Sequence, residues 1–225
     1  MNNLDTTTVY ALCYAMVFVV TWTGNLNKSN RLFNANGEAA LNGVNLLWLH
    51  VAGIFWLGLV PLPLFKQAGI GILPVNGFPS FLWTCLFLIV FTLALFTGIN
   101  TGRYIHIRKS TKPVLSDTFI RLYFPVRIVY LAAYELFFRG VLLFGIASRY
   151  GLAAAIIIST SLTVLLHVFT NKKEMLGCIP FGMILCGLCI SSNAVWPAMV
   201  LHITLSLSYE LPPVIHFFTR LKLSK

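Results

Sequence analysis

An all-α, polytopic transmembrane helical bundle of about seven spans is the fold class predicted by this 225-residue sequence. Three observations carry that reading. The chain is 58% hydrophobic and only 10% charged, with a mean hydropathy of +0.83, well outside the range of soluble domains. Its apolar residues stand in long blocks, most of them near the ~20 residues an α-helix needs to cross hydrocarbon. Lys and Arg gather mainly between the blocks. The ten-residue alternating segments of a membrane β-barrel do not occur.

In chain order, the spans are expected near 6–23, 44–65, 79–100, 119–147, 152–170, 175–191 and 194–216. Met1 to Tyr10 holds no Lys or Arg and no small-residue cleavage site follows the first apolar block, so that block reads as a retained helix and not a signal peptide. Pro61, Pro63, Gly69, Gly71, Pro74 and Gly77 mark the connection after the second span as a turn-rich loop. The fourth span is long enough to be strongly tilted or to begin as an interfacial helix. Pro180 and Pro197 fall near the starts of the last two spans, where proline costs least. Trp22, Trp48, Trp56, Trp83 and Trp196 mostly sit near span ends, as interfacial anchors do.

The loop charges predict an orientation. Lys28, Arg31, Arg103, Arg108, Lys109, Lys112, Arg121, Lys172, Lys173, Arg220, Lys222 and Lys225 fall on one side of an odd-span topology, and only Lys66 and Arg149 on the other. Twelve against two predicts the N-terminus outside and the C-terminus in the cytoplasm, in a plasma (inner) membrane. The same distribution accounts for the formal charge of +10 without a nucleic-acid partner.

Several function classes are disfavoured. Cys13, Cys85, Cys178, Cys186 and Cys189 all lie in apolar blocks, where thiols act as small hydrophobes. Cys186-Gly-Leu-Cys189 has redox spacing but no surrounding βαβ pattern. No inverted repeat of a secondary transporter is found. No Gly-x-Ser-x-Gly elbow supports a serine nucleophile.

What remains is a set of ionisable residues at membrane depth, where unpaired charge is costly and such residues are functional by default. Tyr134-Glu135-Leu136-Phe137-Phe138-Arg139-Gly140 places a carboxylate and a guanidinium four residues apart inside an apolar run, on one helix face and able to pair. His167 and His202 occur in later blocks. At ~1.5 Å per residue, Glu135 and His167 lie ~20 and ~22 Å from the outer ends of their spans, and Arg139 and His202 both ~12–13 Å. Equal depths predict a Glu135–His167 pair and an Arg139–His202 pair. Glu135, His167 and His202 also form a donor set that a divalent metal accepts, although no His-Glu-x-x-His motif is present. A metal-free carboxylate–histidine site without a cofactor is the reading adopted. His50 and His106 read as incidental, and Arg127 as snorkelling to the interface or reaching into the bundle.

This constellation resembles the CAAX protease and bacteriocin-processing family of glutamic intramembrane proteases, the Abi or CPBP proteins. That family carries Glu-Glu-x-x-x-Arg, often continuing Phe-Arg-Gly, then Phe-x-x-x-His and His-x-x-x-Asn on later helices. Glu135 to Gly140 matches from the second glutamate onward, and the block from Leu166-His167 to Leu201-His202 follows the family's order and spacing. Tyr134 stands at the first glutamate, Thr163 at the phenylalanine and Ser206 at the asparagine.

The resemblance divides the chain into residues 1–114, which carry no family motif, a core at 115–216, and a basic cytoplasmic tail at 217–225. It implies an intramembrane endopeptidase that hydrolyses a membrane-associated protein or peptide with carboxylate- and histidine-activated water. Glu135 and His167 are expected around the water, His202 and Ser206 at the oxyanion, and Arg139 holding Glu135. The departure at Tyr134 supports an alternative, a disarmed pseudoprotease that binds a membrane peptide as an immunity or scaffold protein.

Overall fold

The computed structural model describes residues 3–29, 31–33, 40, 42–67, 71–73, 80–105, 116–169 and 172–223. Nine α-helices run through them: α1 (Asn3–Leu26), α2 (Gly43–Ile54), α3 (Leu62–Gln67), α4 (Phe81–Arg103), α5 (Asp117–Glu135), α6 (Leu143–Tyr150), α7 (Leu152–Leu166), α8 (Lys172–Ser192) and α9 (Trp196–Leu223). Two π-helical turns, Phe55–Leu59 and Leu136–Leu142, continue α2 and α5. No strand occurs among the described residues, and the all-α membrane bundle is borne out.

Among the described residues, six helical stretches are long and apolar enough to cross a bilayer: Thr6–Leu26, Gly43–Phe65, Phe81–Arg103, Asp117–Tyr150, Lys172–Ser192 and Trp196–Thr219. The fifth expected span differs. It is α7, an apolar helix of 15 residues, or ~22 Å, short of the ~30 Å hydrocarbon thickness. Its length is set at one end by Gly151, whose φ of 85° breaks the helix from α6, a conformation open to glycine at little cost. At the other end the helix stops at His167. His106, Arg108, Lys109, Lys112 and Lys225 of the charge argument, and Gly69, Pro74 and Gly77 of the turn-rich loop, lie outside the described residues.

The 34-residue stretch Asp117–Tyr150 is the central column, with 67% of its apolar window buried against 17% for Phe81–Arg103. Ser116 caps its start by accepting from the Phe119 amide, and the π turn lies midway along it. One apolar cluster joins Cys13 and Val17 of α1 and Leu57 of the first π turn to Phe137, Phe138 and Leu142. A second joins Trp83 and Phe87 of α4 and Leu143 of α6 to Leu185, Cys186 and Cys189 of α8 and Ala198 and Leu201 of α9. Phe81 and Phe96 face outward, 85% and 67% exposed, as lipid-facing side chains do.

Helices α4 and α9 pack in parallel along their length. Trp83 and Phe87 stack near Trp196 at one end. At the other, a Cβ on Gly102 would lie 2.4 Å from the Tyr209 carbonyl oxygen. Ala94, Gly98 and Gly102 form the small-residue stripe that permits this approach, which matters because van der Waals contact, not solvent exclusion, holds helices together in lipid.

Candidate active site

Helices α5 and α9 face each other antiparallel through two polar stripes. On α9, His202, Ser206 and Glu210 recur every four residues and so share one face. On α5, Tyr123, Arg127 and Glu135 meet them in three rungs. The Tyr123 hydroxyl donates to Glu210 Oε2 at 3.1 Å. Arg127 Nη2 lies 3.2 Å from Glu210 Oε1 and donates to Ser206 Oγ at 3.0 Å. His202 Nδ1 lies 2.5 Å from Glu135 Oε1.

That last rung differs from the depth estimate, which paired Glu135 with His167. Chain counting along separate spans cannot register helices against each other. Glu135 is fully buried, and its second oxygen lies 3.4 Å from Arg139 Nε, in ion-pair range but without hydrogen-bond geometry. Arg139, 1% exposed, donates from Nη1 to Thr163 Oγ1 at 3.1 Å, and Thr163 donates on to the Ser159 carbonyl at 2.9 Å. Thr163 thereby supplies an acceptor that phenylalanine at the same place would lack.

The π turn begins where this network is anchored. Ser159 Oγ donates to the Phe138 carbonyl at 2.9 Å, satisfying backbone polarity inside the irregular turn as a membrane interior demands. Such turns recur at functional positions in helices. Tyr134 and Glu135 are neighbours and so point ~100° apart on the helix. Tyr134 accordingly lines a cavity, while Glu135 turns into protein.

The cavity, about 110 Å³, is walled by Tyr134, Tyr130, Arg127, His50, Arg31, His167 and His202 with apolar residues of α1, α2, α5 and α7. A second cavity of about 250 Å³ shares Arg31, Arg127, His167 and His202 with it and extends past Thr97, Gly98, Thr101, Glu174, Ser206 and Glu210. The two histidines thus stand on the wall common to both.

The hydrogen bonds fix both rings. His167 Nδ1 lies 2.9 Å from the Thr163 carbonyl, which only accepts, so Nδ1 carries the proton and the basic lone pair is on Nε2. His202 donates from Nδ1 to the Glu135 carboxylate and presents the same tautomer. Its ring stands edge-on to Tyr134, 5.4 Å between centroids. The carboxylate orients the His202 ring and fixes its tautomer, which leaves Nε2 as the basic nitrogen.

Ser206 lies on the wall of the larger cavity but is engaged by Arg127. Among the described residues, no three His, Cys, Asp or Glu side chains converge to hold a metal ion; Glu135 is committed to His202 and Arg139. Arg127, His50 and Glu210 belong to the polar interior; the sequence reading leaves Arg127 between interface and bundle, takes His50 as incidental and does not single out Glu210. Arg127 reaches inward, donating to His50 Nε2 at 3.0 Å. The signal was there: Arg127 and Glu210 are opposite charges in apolar blocks, and an intramembrane charge requires a partner.

No curated protein matches the chain. Residues 117–208, which hold Arg127, Tyr134, Glu135, Arg139, Thr163, His167, His202 and Ser206, match the family model of the Rce1-like type II CAAX prenyl endopeptidases, and the resemblance carried by the motifs is borne out over that segment.

Proposed function

We propose that this integral membrane protein is an endopeptidase that cleaves a membrane-associated protein or peptide, with His202 as the base and Glu135 acting through it. The observation that carries this reading is the 2.5 Å contact between Glu135 and His202 on the wall of a cavity that His167 also lines. Water held at the histidines attacks the peptide carbonyl carbon as His202 Nε2 takes its proton. The oxyanion collapses, the C–N bond breaks, and the imidazolium returns the proton to the leaving amine. His167 Nε2 accepts a hydrogen bond from the water's other O–H, whose hydrogen stays with the new carboxyl group. Arg139 and Thr163 hold Glu135 in place. Positioned proton transfer of this kind contributes ~10²–10⁴ in rate. The chemistry needs no metal or other cofactor, and with α7 counted as a crossing the loop charges support a cytoplasmic C-terminus.

A second reading, peptide binding without cleavage, is favoured by one observation. Among the described residues, no carboxylate lines the smaller cavity, because Tyr134 occupies the place of the family's first glutamate and Glu135 is enclosed.

The deciding experiment is cleavage of a membrane-anchored peptide library by purified protein, beside Glu135→Gln and His202→Ala, with and without chelator. Loss of cleavage in both variants and indifference to chelator support the endopeptidase. No cleavage by the parent, with activity gained on Tyr134→Glu, supports the binding protein.

A further inference from the structure

Six buried side-chain nitrogens and oxygens among the described residues have no hydrogen-bond partner: Arg127 Nε, Tyr134 Oη, Glu135 Oε2, Arg139 Nε, Thr160 Oγ1 and Trp196 Nε1. Glu135 and Arg139 account for each other as an ion pair. Of the remaining four, Arg127 and Tyr134 alone line the smaller cavity, beside His167 and His202. Both carry N–H or O–H donors, and Tyr134 is 3% exposed. Leaving a buried donor unsatisfied is costly, and such groups are rare enough to need a cause.

The rest of Arg127 is held fast. Nη1 is occupied by His50, and Nη2 by Ser206 and Glu210. The guanidinium plane is therefore fixed with Nε–H uncommitted, and Glu210 balances its charge. His50 is itself fixed, its Nδ1 donating to the Leu46 carbonyl at 2.7 Å. Ser206, at the place of the family's asparagine, has its oxygen engaged by Arg127.

We propose that Arg127 and Tyr134 form a donor pair for the carbonyl oxygen of the bound peptide, with the oxyanion receiving Arg127 Nε–H and Tyr134 O–H. This deepens the endopeptidase reading and rests on it for its catalytic meaning. As the water oxygen bonds to the carbonyl carbon, the carbonyl π pair moves to oxygen, and fixed donors there are stronger than in water because nothing must reorganise. Tyrosine at this place is then a donor to the substrate, not a failed base.

The test uses full-length protein in nanodiscs and two pools of palmitoylated random hexapeptides, one with a central phosphonate replacing the peptide bond and one with the ordinary amide. The parent is expected to retain the phosphonate pool at least ~tenfold more tightly, since tetrahedral anions mimic the transition state. Tyr134→Phe and Arg127→Gln are each expected to abolish most of that preference. Arg127→Gln strands Glu210 and risks misfolding, so Tyr134→Phe decides, its hydroxyl having no protein partner to lose. Equal retention of both pools by the parent, or a preference undiminished in Tyr134→Phe, overturns the donor pair. Cleavage of the amide pool is read in the same samples. Preference without cleavage, lost in Tyr134→Phe, supports the donor pair and strikes the endopeptidase reading. Cleavage with an intact preference in Tyr134→Phe strikes the donor pair alone.

Discussion

Arg139 Nη1 and Thr163 Oγ1 are joined at 3.1 Å, tying the π turn of the central column to α7. The guanidinium is buried, and its charge is shared between this hydroxyl and Glu135, so the positions of α7 and of the Glu135–His202 pair are set together.

Replacing Thr163 with Val keeps the shape and removes the acceptor. The variant is expected to lose ~1–3 kcal/mol of stability, the cost of an unmade bond to a buried donor, while Thr163→Ser retains most of it. Thermal unfolding in detergent reads the difference, and a Val variant as stable as the parent would show that Arg139 finds another acceptor.

Arg127 and Glu210 are a buried pair, and breaking such a pair is worse than removing it. Arg127→Met is expected to cost ~3–5 kcal/mol by stranding Glu210, and Arg127→Met/Glu210→Met appreciably less. A double-mutant cycle by chemical denaturation measures the coupling; strict additivity would mean that the two charges do not compensate one another.

Gly102→Leu places atoms where the Tyr209 carbonyl now lies, since even a Cβ would approach it to 2.4 Å. The main chain cannot step aside as a side chain can, so α4 is expected to separate from α9 at this end. A loss of at least ~1–3 kcal/mol is expected, as for overpacking in a dense interior. Cysteine pairs placed across α4 and α9 would show it as reduced cross-linking.

Glu135→Gln keeps an oxygen to accept from His202 Nδ1 but removes the negative charge that faces His202 as it takes the water's proton. Cleavage of the peptide library is expected to fall ~10²–10⁴-fold with KM little changed, because Glu135 lines neither cavity. A rise in KM at constant kcat would instead place Glu135 against substrate.

Hydropathy made the helices legible. Apolar blocks and the charges between them gave six of the seven spans close to their observed bounds, because lipid forces each crossing segment to satisfy its own backbone. The exception, α7, is uncharged throughout but stops at His167, and hydropathy alone does not say where a helix is cut. The motif residues were legible as a set. Their pairing was not: Glu135 meets His202, and Ser206 meets Arg127, through the register of α9 against α5. The i, i+4 stripe of His202, Ser206 and Glu210 was readable in advance, and it would have identified Arg127 as the partner of Glu210.

The sequence by itself determined that this is a helical membrane protein, that residues 117–208 carry Rce1-like motifs, and that an acid, an arginine and two histidines lie within its apolar blocks. These follow from composition, periodicity and motif order, all local along the chain. Tertiary structure alone decided that Tyr134 and not Glu135 faces the cavity, that Thr163 holds Arg139, and that Arg127 comes to lie beside the histidines. Those relations depend on the rotation and sliding of whole helices, which packing of side chains from distant parts of the chain sets and no single segment encodes.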